Sequence, residues 1–138
     1  MIARFNIRTT SQGLINITRE VNKVFIEHLK DQKDKDGLCT LFVRHTSASL
    51  IIQENADPSA RRDLEVWMNH LVKENDPLYT HTLEGPDDMP AHIKSILTAT
   101  SLSIPFSDRE LLLGTWQGVY LWEHRHLGGT REIVMHLS

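Results

Sequence analysis

The fold is decided by the stretch 38-LCTLFVRHTSASLII-52, in which a polar segment separates two apolar ones. Residues 38–44 are apolar and bounded, which predicts a buried strand, and residues 50–52 are apolar again. Cys39 is the only cysteine, so no internal disulfide is available, and its apolar neighbours predict a buried, inert thiol. The polar residues 45–49 follow the end of a strand, where a rigid scaffold commonly presents functional side chains.

Strand-like and helix-like patterns alternate on both sides of this stretch. An amphipathic helix is predicted over 18–30, and a second helix begins at Pro58 after the N-cap Asp57. The apolar residues of the second helix should form a stripe that faces the core: Leu64, Trp67, Met68 and Leu71. A short helix is predicted over 90–98. Alternating patterns predict strands over 4–9, 100–105, 110–114, 118–124 and 133–137.

These patterns predict a single compact α+β domain over residues 1–138, with a mixed, mostly antiparallel sheet and a few helices on one side. The 138 residues are 40% hydrophobic and 24% charged, which is ordinary globular usage. A net charge of −3 gives no general attraction to nucleic acid or to anionic membranes. No long apolar stretch and no leader pattern is present, so we expect a cytoplasmic protein.

The segment 81–92 concentrates side chains that bind metals. It contains two imidazoles, His81 and His92, and three carboxylates, those of Glu84, Asp87 and Asp88. Imidazole nitrogen suits zinc and other first-row metals, and nearby carboxylates either ligate directly or orient the imidazoles. His45, at the end of a buried strand, is the best distant third ligand. The alternative is a surface loop in which Asp88 caps a helix and the histidines are solvated.

Three hydroxyls follow His45, and they belong to Thr46, Ser47 and Ser49. Such a segment binds an anion through its hydroxyls and backbone N–H groups, or it caps the next element. A nucleophilic serine paired with a histidine is a third interpretation, but no Gly-x-Ser-x-Gly turn supports it. We therefore favour ligand binding over nucleophilic catalysis.

Two further groups of residues suit a phosphorylated, ring-containing ligand. Trp116 can stack on a flat ring while Gln117 hydrogen-bonds its edge, although core packing of the tryptophan is an equal alternative. Glu123 and Arg125 are two residues apart and share one side of an extended strand, so they suit phosphate binding beside a base. An exposed ion pair is the alternative. Arg131 is a further candidate phosphate contact.

Four segments together resemble the YjbQ family, also called the uncharacterised protein family 0047. They are 45-HTSASL-50, 54-ENADP-58, 84-EGPDDMPAH-92 and 114-GTWQGVYLWEHR-125. The resemblance runs in order over nearly the whole chain. The hairpin 107–110 departs from the family pattern because it lacks a glycine.

The resemblance implies a compact α+β fold assembled as a homotrimer, with a metal site at positions that match His45, His81 and His92. It also implies a secondary thiamine-phosphate synthase, which joins hydroxymethylpyrimidine diphosphate to thiazole phosphate with loss of diphosphate. The expected cofactor is a divalent cation, zinc or magnesium, and the partner is a phosphorylated small molecule. The residues expected to act in catalysis are Glu84, Asp88, Glu123 and Arg125. The residues expected to bind substrate are Thr46, Ser47, Asn55, Trp116 and Gln117.

Two other functions fit the same polar residues. One is a metabolite- or metal-binding module without turnover, because convergent polar groups do not by themselves accelerate a reaction. The other is a metal-dependent hydrolase, because an open metal position near carboxylates also activates water.

Overall fold

The structure is a computed structural model that describes all residues from Met1 to Ser138. It contains three helices: α1 (Thr18–Leu29), α2 (Pro58–Leu71) and α3 (Asp88–Leu97). Its eight strands are β1 (Ile2–Thr9), β2 (Gly13–Asn16), β3 (Asp36–Val43), β4 (Ala48–Glu54), β5 (Ser101–Ser107), β6 (Glu110–Leu111), β7 (Gln117–Glu123) and β8 (Gly129–Leu137).

The strands form two sheets in which every pair is antiparallel. The larger sheet has the order β1-β8-β3-β5-β6, and the smaller one has the order β2-β7-β4. The predicted α+β class is confirmed, but the strands divide between two sheets rather than forming one. The physical reason is the polar segment 45–47, which lets the chain leave β3 in the larger sheet and enter β4 in the smaller sheet.

The main hydrophobic core is shared by both sheets and α1. The buried face of α1 consists of Val21, Phe25 and Leu29, which recur at helical spacing as the sequence predicts. The rings of Phe25 and Phe106 meet edge to face with centroids 5.3 Å apart. Full burial of one such side chain stabilises the fold by roughly 1.5–3 kcal/mol, so α1 is held firmly against the strands.

Helix α2 begins as predicted, but its stripe is only partly buried. Pro58 is its first residue, and the carboxylate of Asp57 accepts a hydrogen bond from the Ser59 amide at 2.9 Å. Only Met68 of the predicted stripe is buried, whereas Trp67 and Leu71 are 59% and 55% exposed. The prediction that the whole stripe faces the core is therefore wrong, because α2 packs on the small sheet along a narrower line than the stripe.

Two local features of the fold are the environment of Cys39 and the turn between β5 and β6. Cys39 is fully buried, and burial raises the pKa of its thiol to about 12, which confirms the inert thiol. The hairpin between β5 and β6 turns on Asp108 and Arg109, whose φ angles are 47° and 73°. This is the left-handed region that glycine usually occupies in such a turn. No helix of the structure is long and apolar enough to cross a membrane.

Candidate functional site

Three side chains from the loop before α3 and from α3 itself converge on one point. Asp88 and His92 are one helical turn apart on the same face of α3, and His81 comes from the preceding loop. The His81 Nε2 and His92 Nε2 atoms lie 2.6 and 3.1 Å from the same oxygen, Asp88 Oδ2. Asp88 is buried while both rings are partly exposed, so the group is reached from solvent through the histidines.

The hydrogen bond on the far side of His92 decides where its free lone pair points. Its Nδ1 lies 3.0 Å from the carbonyl oxygen of Thr46, which can only accept, so Nδ1 carries the proton. In the neutral ring, Nε2 then directs a lone pair at the Asp88 carboxylate. Two such acceptors repel each other unless a proton or a cation lies between them. A metal-bound histidine has this same arrangement, with its other nitrogen fixed by a backbone carbonyl.

The second oxygen of Asp88 ties this group to the end of β7. Arg125 Nη1 donates to Asp88 Oδ1 at 2.5 Å, and Arg125 Nε donates to Asp87 Oδ2 at 3.0 Å. Arg125 Nη2 also donates to the carbonyl of Glu84 at 2.9 Å. Burial raises the pKa of Asp88, but the hydrogen bonds with His81 and Glu84 and the charge of Arg125 outweigh it. The pKa therefore falls below its usual value, and the carboxylate is charged.

The local balance of charge favours a cation. The carboxylates of Glu84, Asp87 and Asp88 surround the single guanidinium of Arg125. With neutral imidazoles, this group holds more negative than positive charge. The ligand atoms of His81, Asp88 and His92 all lie within 4.8 Å of one another, so small side-chain shifts would let all three contact one ion. Two imidazole nitrogens and one carboxylate oxygen form a donor set that suits zinc.

His45 lies outside this group of three. The Glu132 amide donates to His45 Nε2 at 2.9 Å, and Arg131 Nη1 lies 3.3 Å from His45 Nδ1. Burial and the Arg131 charge lower the pKa of His45, so its ring is neutral. The Nε2 lone pair of His45 already accepts a hydrogen bond, so in this ring orientation it is not available to a metal. The role of His45 as a ligand stays a prediction, while Asp88 takes the third place.

Glu123 is a buried counter-ion rather than a group that faces a ligand. Arg131 donates to its two oxygens from Nε and Nη2, at 2.7 and 2.5 Å. Thr9 Oγ1 donates at 2.5 Å and the Arg125 amide at 3.1 Å. Burial raises the pKa of Glu123, but the hydrogen bonds from Arg131 and Thr9 outweigh it and hold the pKa below its usual value. Glu123 is fully enclosed, so it faces no open surface, and its predicted catalytic role stays a prediction.

The predicted substrate-binding residues divide between the two ends of the pair β4–β7. Thr46 and Ser47 lie at the end that adjoins the histidines, whereas Asn55, Trp116 and Gln117 lie at the opposite end. A seven-residue strand separates these ends by about 20 Å. Asn55 and Gln117 also bind their own loop, because the Asn55 side chain donates to Gln117 O at 3.3 Å and Gln117 Oε1 accepts from the Gly114 amide at 2.8 Å. Within one chain, these two groups cannot contact the same small molecule.

Two residues outside the predicted catalytic, binding and metal-ligating sets position the site. Asp87 holds Arg125 and also accepts from the His126 amide at 2.9 Å. The sequence signal available for this region was the spacing of Asp88 and His92, which places them one helical turn apart. His124 is fully buried and binds Ser49 Oγ at 2.8 Å, and burial with the nearby Lys94 charge lowers its pKa to about 3. No sequence signal identified His124 as the anchor of the segment that carries Thr46.

Comparisons with known proteins agree with this fold. The family model described as UPF0047 protein YjbQ-like matches residues 3–138. The UPF0047 protein sll1880 of Synechocystis sp. is 52% identical over 132 residues, which cover 96% of this chain and 87% of that protein. A conserved hypothetical protein of Thermus thermophilus has a solved structure that superposes with a TM-score of 0.84 at 35% identity, covering 99% of each chain. A YjbQ/UPF0047 protein of Clostridium acetobutylicum superposes with a TM-score of 0.85 at 31% identity, again covering 99% of each chain.

Proposed function

The chain belongs to the YjbQ-like UPF0047 family, and we propose that it is an enzyme that handles a phosphorylated small molecule at a divalent-cation site. The observation that carries the proposal is the convergence of His81, Asp88 and His92 on one point. The specific reaction that we propose is the secondary thiamine-phosphate synthase reaction, in which hydroxymethylpyrimidine diphosphate joins thiazole phosphate and diphosphate leaves.

The donor set supports zinc over magnesium. Magnesium prefers oxygen ligands and keeps several waters, whereas two imidazoles beside one carboxylate suit zinc. When bound, the cation would polarise phosphate oxygens and ease the departure of an anionic leaving group. Because Asp88 contributes one negative charge, the site would retain about one positive charge rather than the two expected from three neutral histidines. Counted with Arg125 and with the carboxylates of Glu84 and Asp87, the whole group would be about neutral, so an anionic substrate would be held by direct contact with the ion.

The residues of the chain itself have distinct parts in this proposal. Asp88 would ligate the cation beside both imidazoles through one oxygen, while its other oxygen holds Arg125. The Arg125 guanidinium has five N–H groups and commits three of them within the chain, so two remain for a phosphate. The Glu84 side chain is exposed beside Arg125, where it can accept or release a proton at the edge of the site.

The proposal is tested by metal content and by product formation together. Protein purified without a metal-chelating tag is stripped with chelator and then titrated with zinc. Thiamine phosphate is measured after incubation with the two phosphorylated halves. We expect stoichiometric zinc in the wild type and loss of both zinc and product in His81→Ala and His92→Ala. His70→Ala is the matched control, because this histidine is exposed on α2 and its side chain makes no hydrogen bond to the site.

Three outcomes would contradict the proposal in different ways. Unchanged zinc content in His92→Ala would show that the three side chains do not form a metal site. Zinc binding without product over a long incubation would favour a binding module. Release of phosphate from simple phosphate esters, abolished by chelator, would favour a hydrolase.

We also propose that the protein is a cytoplasmic homotrimer. The support is the uncovered apolar face of α2, where Val66, Trp67 and Leu71 are each more than half exposed. Light scattering after size exclusion measures the mass of the assembly. A monomeric mass at micromolar concentration would contradict the trimer.

A further inference from the structure

A cleft of about 570 Å³ opens beside His92, between the start of the polar segment and α3. Its volume is within the range of small-molecule binding sites. Thr46 and Thr100 line it from the two connecting segments, while Ser95 and Ile96 line it from α3. The cleft therefore shares the His92 side chain with the candidate metal site.

The lining of this cleft carries no acidic, lysine or arginine side chain, and most of its exposed surface is apolar. The hydroxyls of Thr46 and Thr100 make no hydrogen bond within the chain, whereas Thr98 Oγ1 donates to the Lys94 carbonyl at 2.8 Å. The hydroxyl of Ser95 has no partner either, but it has no accessible surface and would reach a ligand only if its side chain turned toward the cleft. The two free threonine hydroxyls, in a lining without charged side chains other than the shared histidine, suit an uncharged ligand that donates and accepts hydrogen bonds.

A second cleft next to the site has the opposite character. It measures about 520 Å³ and contains Arg125 and Arg131 together with Glu84 and Asp87. Arg125 binds Asp88, and Asp88 binds His92, so the charged cleft and the uncharged cleft meet at the same group. A ligand with one ionic end and one neutral polar end fits this division, because each end then meets groups of matching polarity.

We propose that the cleft lined by Thr46, Ser95, Ile96 and Thr100 binds the uncharged, hydrogen-bonding part of the substrate, a small ring or polyol. The phosphate of the same molecule lies at the cation and Arg125, and in that respect the inference rests on the proposed function. It assigns the ring to this cleft rather than to Trp116, which lies about 20 Å away along β7.

The experiment narrows the cleft and leaves the metal ligands unchanged. Ile96 is 80% exposed, so Ile96→Trp adds bulk at the rim without disturbing the core. Thr100→Val removes one free hydroxyl, and Thr130→Val on the exposed face of β8 is the matched control. Calorimetry on the zinc-loaded protein measures binding of three probes: inorganic phosphate, hydroxymethylpyrimidine alcohol and hydroxymethylpyrimidine diphosphate.

We expect Ile96→Trp to weaken the alcohol and the diphosphate at least tenfold and to leave inorganic phosphate unchanged. Thr100→Val should weaken the same two probes by about fivefold, the value of one net hydrogen bond. Thr130→Val should change none of the three.

The outcomes separate this inference from the proposed function. The inference is overturned if the wild type does not bind the alcohol. It is also overturned if Ile96→Trp binds the alcohol as the wild type does while Trp116→Ala loses that binding. A change of assembly size in Ile96→Trp also overturns it, because the cleft would then be a contact between subunits. Binding of the alcohol without any binding of inorganic phosphate refutes the phosphate site and leaves the assignment of the cleft standing.

Discussion

Glu123→Gln is the substitution that best separates a structural role from a catalytic one. It keeps the size of the side chain and removes its charge. The carboxylate accepts two hydrogen bonds from Arg131 and one each from Thr9 and the Arg125 amide, and all four donors lie within 3.1 Å. An amide has only one acceptor oxygen, so in either orientation the Arg131 guanidinium loses one of its two acceptors.

The expected loss of stability is large because Arg131 stays buried. Breaking a buried ion pair by removing one partner costs about 3–5 kcal/mol. For 138 residues, an unfolding entropy of roughly 0.29 kcal/mol/K converts a loss of about 4 kcal/mol into a fall in Tm of about 14 °C. Glu132→Gln is the control, because its partner Arg44 is half exposed and exposed ion pairs contribute little to stability.

The assay is thermal and urea unfolding followed by circular dichroism, with zinc content measured on the same samples. The pKa of Glu123 is below its usual value in the folded state, so its contribution is present above the unfolded pKa and is lost as pH falls through the folded pKa. The stability gap between wild type and Glu123→Gln should therefore be constant near neutrality and close in acid. A Tm within about 3 °C of the wild type, together with lost activity, would refute the structural role and restore the catalytic one.

Three further predictions concern the scaffold. Asp57→Ala should lower the midpoint of urea unfolding, because the Ser59 amide loses its cap, and an unchanged midpoint would contradict this. Gly128→Ala should destabilise the protein by more than about 2 kcal/mol, since the new Cβ would lie 2.5 Å from Thr9 Oγ1 at a φ of 66°; a fully stable variant would show that Thr9 can move. Cys39, with a pKa of about 12, should react with a thiol reagent at pH 8 only after unfolding, and rapid labelling of the native protein would show that the strand opens.

The elements of the fold were largely predictable from local patterns, and their arrangement was not. The helical spacing of Val21, Phe25 and Leu29 marks α1, and the pair Asp57–Pro58 marks the start of α2. Which strands share a sheet depends on long-range pairing that no local pattern records. The exposure of Trp67 shows the same limit, because an apolar residue at helical spacing is buried only when another element covers it.

The site was predictable where its residues are close in sequence. His81, Asp88 and His92 lie within twelve residues, and the structure brings them together. The role of His45 depends on which of its nitrogens the distant strand β8 occupies, and sequence alone does not contain that contact. Arg125 also proved to be engaged with Asp87 and Asp88, because the end of β7 meets the start of α3 only in the folded chain.

The attachment of α3 through Arg125 and Asp88 has a consequence for local unfolding. The first turn of α3 is held by the ionic contacts of Arg125 as well as by buried Pro90 and Ala91, whereas α1 is held by apolar side chains such as Val21 and Phe25. Salt weakens ionic contacts that are partly open to water and strengthens apolar burial or leaves it unchanged. Amide hydrogens in the first turn of α3 should therefore exchange with deuterium faster as salt is added, while those of α1 keep their protection.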